Sequence, residues 1–392
     1  MTANAPGVQI LEAVPLQNGD TTAQGTWLDA VLSGRGFIAS GLYDAVFFLL
    51  TPLFALGMVG VVTALQPATG IAARVSSPAG VFPIAPVGPA NSSIDLAASA
   101  ILLMLILSQA HAVAVFFRSH GNRAIFVRHR FAFVVVPLLL FAGLMTSDWV
   151  MVGAMFVAPF WAVYHLGMQS FGLSRMYDAR WGNSPETGRS LDYVLQQFFN
   201  LAPFLAGWSL LPHLQSLRIF DRVDWHAPAQ WLDAHRSIEG ALASVFVVAG
   251  PLFIAFYAHS YRKLMRKGYR LCPQKIVLLL TTGIVSVTAW GFLAPWKAVF
   301  VMNLFHSVQY FALVWWTEHR NLGRLSRLQG VAFGRPLLLA AFAAISMSLG
   351  IFFQTYGRDF TVMRWAASLA LVISLMHYWY DGFVWSVRRR EV

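Results

Sequence analysis

Runs of apolar residues, each long enough to cross a bilayer, constrain this chain more than any other feature. A membrane-spanning helix needs about 20 mostly apolar residues. Such runs recur at Leu42–Leu65, Ile94–Phe117, Phe131–Met145, Trp149–Leu173, Val194–Leu211, Glu239–Tyr261, Lys275–Ala294, Trp296–Trp316, Arg335–Gln354 and Met363–Val387. In hydrocarbon every backbone N–H and C=O must find an internal partner, which leaves helices as the form for runs of this length. The expected fold is therefore all-α, a polytopic transmembrane helical bundle of about ten spans. Only 11% of the 392 residues are charged, against about 25% in soluble domains. No run or composition shift marks a second domain. The expected organisation is a tail at residues 1–38, a single bundle at 39–388 with outer loops at 66–93 and 213–237, and a short tail at 389–392.

The net charge of +11 raises the question of nucleic acid. The basic residues instead sit in short clusters between the apolar runs, as positive-inside loops do. Arg118, Arg123, Arg128 and Arg130 follow the second run, and Arg175 and Arg180 the fourth. Arg262, Lys263, Arg266, Lys267 and Arg270 follow the sixth, Arg320, Arg324 and Arg327 the eighth, and Arg388, Arg389 and Arg390 the tenth. Loops after odd runs carry fewer. Both termini are thus expected in the cytoplasm, and the bilayer of a cell inner membrane, not nucleic acid, is the expected partner. Residues 1–36 lack the basic start and compact apolar segment of a signal peptide, and read as a tail with a short helix near Trp27–Leu32. One cysteine, Cys272, excludes an internal disulfide and CxxC chemistry.

Function is sought in the polar residues inside the apolar runs, because such residues are costly there and face a bundle interior or a cavity. His111 lies in the second run, His165 and Gln169 in the fourth, His306, Gln309 and Tyr310 in the eighth, and His377 and Asp381 in the tenth. Counted at ~1.5 Å per residue, the four histidines fall roughly 10–21 Å from the following basic cluster, a common depth in the cytoplasmic half. Each of the pairs His165/Gln169, His306/Gln309 and His377/Asp381 occupies one helix face. A single such histidine is readily explained as an interhelical hydrogen bond. Four at one depth, three with a polar companion, point to a metal centre built from facing helices. The expected ligands are His111, His165, His306, His377, Asp381 and Gln169, and Gln309 and Tyr310 are the expected catalytic residues, orienting oxygen or substrate. An imidazole-rich set without thiolate favours iron, with copper, zinc or haem b as alternatives. Redox chemistry on a lipid-soluble substrate is expected, with an electron donor as partner. A proton-coupled transporter and a haem-b electron carrier are the rival readings. His259 lies at the edge of the slab, His319 next to Glu318 belongs either to the basic collar or to an outer ligand shell, and His120, His129, His213, His226 and His235 are expected to be solvated. Gly143 and Gly172 are expected to serve close helix packing, and Arg175, Tyr177 and Arg180 a topogenic role.

The stretches Tyr164–Gly172, His306–Tyr310 and His377–Trp385 resemble motifs (YHxxxQ, HxxQY and HYxxDG) of a group of poorly characterised bacterial multi-span membrane proteins, over about Tyr43 to Arg388. The architecture also resembles the membrane-bound carotene dioxygenases of the Brp/Blh type. That resemblance implies an all-helical bundle using iron on an apolar polyene, and carries over no individual residue.

Overall fold

A computed structural model describes residues 36–64, 96–207, 215–235, 238–357 and 362–385. The expected outer loop 66–93, the helix near Trp27, His213, and the basic residues beyond 385 lie outside the described residues. Within them the chain is helical and has no strand. We label the helices α1 (Gly41–Asp44), α2 (Thr51–Ala64), α3 (Leu96–Ser119), α4 (Arg123–Thr146), α5 (Asp148–Arg180) and α6 (Arg189–Ala206). A 3-10 turn (Gln215–Val223) and the short α7 (Ala227–Ala234) follow. The remaining helices are α8 (Ile238–Arg266), α9 (Pro273–Phe292), α10 (Pro295–Leu325), α11 (Gly334–Tyr356) and α12 (Arg364–Val384).

Each apolar run read from the sequence carries a helix. Seven helices, α3, α4, α5, α8, α9, α10 and α11, are long and apolar enough to cross a membrane, and α1 with α2 forms an eighth candidate bent by 51°. The run expected at Phe131–Met145 is longer than its apolar stretch, because α4 begins at Arg123, where the Asn122 side chain accepts from the Ile125 N–H. Around the expected interfacial stretch 213–237, Trp225, in the link between two short helical segments, and Trp231, on the second of them, are both exposed.

The bend between α1 and α2 has a cause in the sequence. Pro52 has no N–H, so the carbonyl four residues earlier, Phe48, loses its helical donor. A π-helical turn (Ala45–Leu49) leads into the break. The freed carbonyls are taken up from outside the helix: Gln309 Nε2 donates to Phe48 O (2.8 Å) and Thr281 Oγ1 to Leu49 O (2.8 Å). Pro137 in α4 does the same to Phe133 O, and His120 Nε2 lies 3.3 Å from that oxygen. His120 thus has a structural partner, although it remains exposed as expected.

α10 is the central element. Its buried residues run from Ala298 to Gly323, and it packs on α2, α3, α9 and α11. α12 packs on α3, α4 and α5 and closes the bundle around it. α8 lies at the margin, mostly exposed and docked on α6.

Candidate metal centre

Helices α3, α5, α10 and α12 each bring one histidine to the same point. His111, His165, His306 and His377 are all buried. Neighbouring ring centres stand 4.8 Å apart for His111/His306, 5.0 Å for His306/His165, 4.7 Å for His165/His377 and 4.9 Å for His377/His111. The four rings therefore form a closed, nearly equal-sided quadrilateral whose His306–His377 diagonal is 6.2 Å. His165 Nε2 and His377 Nε2 are 3.1 Å apart. His111, His306 and His377 each offer a nitrogen within 4.8 Å of the others, as do His165, His377 and Asp381 with one ligand atom each.

The surrounding groups hold these rings in place. Ser307 Oγ lies 3.0 Å from His111 Nδ1, which occupies that nitrogen and leaves Nε2 buried without a partner. His306 Nδ1, His377 Nδ1 and Gln169 Oε1 are likewise buried and unpartnered. Asp381 Oδ1 accepts from the Tyr310 hydroxyl (2.8 Å) and from Trp385 Nε1 (3.0 Å), while Oδ2 stands 3.6 Å from His165 Nε2. Gln169 Nε2 donates to Gln309 Oε1 (2.9 Å) and to His306 O (3.2 Å). The Gln309 amide, expected to orient oxygen or substrate, is engaged at both ends, by Gln169 and by the broken helix at Phe48. Tyr310 stacks edge-on against His377 with ring centres 4.6 Å apart.

A metal ion fits this arrangement on two observations. Unpaired polar groups in a dry interior cost free energy, and three of the orphaned atoms are ring nitrogens, the type that binds metals. The spacing of adjacent ring centres also matches, with the donor atoms gathered in two triads that share His377. Imidazoles bound at ~2.1 Å to one ion place adjacent nitrogens about 3.0–3.4 Å apart and adjacent ring centres about 4.5–5.2 Å apart, from square-planar to tetrahedral.

The remaining expectations fall outside this cluster. His259 is exposed on α8. Glu318 is buried in an ion pair with Arg118, whose guanidinium lies 4.1 Å from the centre of the Trp385 ring. His319 Nδ1 turns back to its own helix at Trp315 O. Gly172 has no neighbour within 4 Å of a would-be Cβ, so close packing is not its role, whereas Gly143 does meet Val150 at 3.2 Å.

The sequence reading missed a second buried polar cluster. Arg175 Nη1 donates to Asp178 Oδ2 (2.7 Å) and Asp192 Oδ2 (2.6 Å), and Lys275 Nζ donates to the same two atoms at 2.7 and 2.6 Å. Tyr257 and Tyr261 donate to Asp192 Oδ1, and Tyr269 to Asp178 Oδ1. Gly188, at φ +69°, precedes α6 where any Cβ would strike the Tyr261 hydroxyl. Two cations and two carboxylates balance to zero net charge, which makes such burial tolerable. Arg175 and Arg118, members of the basic clusters, are thus 1% and 3% exposed and paired. The available signal was the i, i+3 spacing of Arg175 and Asp178.

Fold and site together define a class: a helical, membrane-type protein with a buried histidine-rich centre. No protein-family model, curated protein or solved structure matches the chain.

Proposed function

We propose that this protein is a ten-span inner-membrane metalloprotein, with both termini cytoplasmic, that oxidises a lipid-soluble substrate. The carrying observation is the quadrilateral of buried imidazoles with sides of 4.7–5.0 Å. A count of ten adds α6 (18 residues) and α12 (21 residues) to the eight candidates, since helices of about 17–25 residues can cross a bilayer.

His111, His165, His306 and His377 would hold the ion, and Asp381 would supply negative charge beside it, which a cation needs in a low-dielectric interior. Iron is the first assignment, with copper and zinc as alternatives on the same donor set. Iron or copper, when bound, would supply one-electron redox chemistry with dioxygen as oxidant and an electron donor as partner, whereas zinc would supply Lewis-acid chemistry alone. The chain's own contribution is positional. Ser307 fixes the His111 ring, Tyr310 and Trp385 aim the Asp381 carboxylate, and Gln169 braces the α10 backbone at His306. Apolar helices around the site keep water away and let substrate arrive sideways from lipid. A haem-b reading fits less well, because four rings in mutual edge contact leave no slot for a macrocycle between any two of them.

A proton-coupled carrier is the second reading, favoured by the broken α1–α2 segment, since transporters bind ions at interrupted helices. The freed carbonyls there are already capped by Gln309 and Thr281, and the stretches Ile101–Leu107 and Ala366–Ser374 are nearly all apolar.

The test is metal analysis with an absorption spectrum on detergent-purified protein, repeated for His165→Ala and His377→Ala. Stoichiometric iron in the parent, lost from both variants with the helical circular-dichroism signal retained, is the expected result. A metal-free, colourless parent whose variants behave identically would sink the reading.

A further inference from the structure

Among the candidate ligands only Asp381, on α12 beside His165 of α5, is not buried. The Asp381 side chain is 10% exposed, against 3% for its neighbour His165. Over the His165 ring lies Tyr378, with ring centres 4.9 Å apart and planes tilted by 36°. Trp161, one turn before His165 on α5, stands 6.3 Å from the Tyr378 ring. Both Trp161 and Tyr378 are half-buried. Gly172 on α5 and Gly382 on α12 follow the site residues of their helices, and a Cβ at either would meet nothing within 4 Å. Aromatic rings and one side-chain-free position, Gly382, thus lie near the one candidate-ligand carboxylate that is partly exposed.

Tyr378 differs from the other tyrosines of the bundle in its hydroxyl. Tyr43, Tyr177, Tyr310 and Tyr380 each donate to a carbonyl or carboxylate. Tyr164 and Tyr193 pair with each other, and the tyrosines of the ion cluster bond its carboxylates. The Tyr378 hydroxyl bonds no described residue, and apart from the exposed Tyr356 it is alone in this. A phenol is an apolar body with one polar tip, suited to a partner that is itself apolar with one polar atom. An unmet hydroxyl in hydrocarbon is unfavourable, so a bound molecule supplying an acceptor or donor there gains affinity.

We infer that the α5–α12 junction is a lateral portal, and that Tyr378 orients a lipid-soluble substrate bearing a hydroxyl or carbonyl oxygen. This rests on the oxidation reading above and adds to it the chemical class of the substrate. A pure hydrocarbon has nothing to offer Tyr378, whereas a long-chain alcohol, sterol-like alcohol or quinol-like molecule does. The oxygen sits at the portal and the carbon chain beside it lies toward His165 and Asp381.

The test uses the full chain in proteoliposomes with two photoreactive probes of equal length, a long-chain alcohol and the matching alkane, each carrying a diazirine near one end. The alcohol is expected to label peptides around Trp161 and Gly382 in preference to the alkane. Tyr378→Phe is expected to reduce alcohol labelling there roughly fivefold, the effect of one hydrogen bond, to the alkane level. Metal content and melting temperature should not change, and Tyr356→Phe should behave as the parent. Equal labelling by both probes, labelling elsewhere, or undiminished labelling of Tyr378→Phe would overturn the inference. Metal content separates the two claims. Alcohol-selective labelling of a protein that binds no metal would sink the oxidation reading and keep the portal, and a metal-loaded protein without selective labelling would do the reverse.

Discussion

At the scale of single residues, the site depends on side chains that do not themselves face the ion. Tyr310 was read as a catalytic candidate, and its hydroxyl is committed to Asp381. Groups that orient metal ligands typically contribute 10–100-fold to affinity. Tyr310→Phe is therefore expected to weaken metal binding by roughly 10–100-fold, measured by competition with a chromogenic chelator. Lys275 poses the opposite case, a charge whose loss unbalances its neighbours. Lys275→Met leaves Arg175 facing two buried carboxylates, at an expected cost of about 3–5 kcal/mol in detergent unfolding. Adding Asp192→Asn restores charge balance and should recover part of that loss. If the double variant is less stable than the single one, charge balance is not what the cluster provides. Cys272 is predicted to be inert, because burial pushes its thiol up to about 12. Thiolate is the reactive form, so a maleimide should not label it at neutral pH until the protein is unfolded. The four histidines could be read from the sequence because an imidazole inside an apolar run is costly. The buried cations could not, because a lysine or arginine near a helix end looks the same whether it meets water or a carboxylate from another helix.

At the scale of elements, the broken first span shows how one residue shapes a helix and its neighbours. Pro52 removes a donor, and Gln309 on α10 replaces it. Gln309→Leu would leave the Phe48 carbonyl unmet in a dry interior, at about 1–3 kcal/mol. Pro52→Ala returns an N–H to the helix, so Pro52→Ala with Gln309→Leu should be more stable than Gln309→Leu alone. Thermal melts in one detergent decide it, and an additive loss would show that Gln309 does not serve the break. Helix positions themselves were legible, since hydrocarbon permits little else along such runs. Helix ends were less so: α5 continues from the apolar run to Arg180 and α10 to Leu325, because paired charges extend them.

At the scale of the molecule, orientation is the property most open to test. Cysteines introduced at Thr2 and Val392 should both react with a membrane-impermeant maleimide in inverted vesicles and not in right-side-out cells, against the silent Cys272 background. Labelling of the two positions from opposite sides would exclude an even span count. The sequence alone determined that this chain is helical and apolar, because run length and scarcity of charge leave no other way to satisfy a backbone in lipid. It also determined which polar residues are conspicuous, since each is judged against its own run. Only the tertiary structure decided which of them meet. Depth along a helix places His111, His165, His306 and His377 in one layer, but rotation about each helix axis and the choice of neighbours close them into a quadrilateral and leave His259 outside it. Those rotations are set by packing among α3, α5, α10 and α12, which no single run encodes. The same packing turned Arg118 and Arg175 from apparent surface charges into buried partners of Glu318, Asp178 and Asp192.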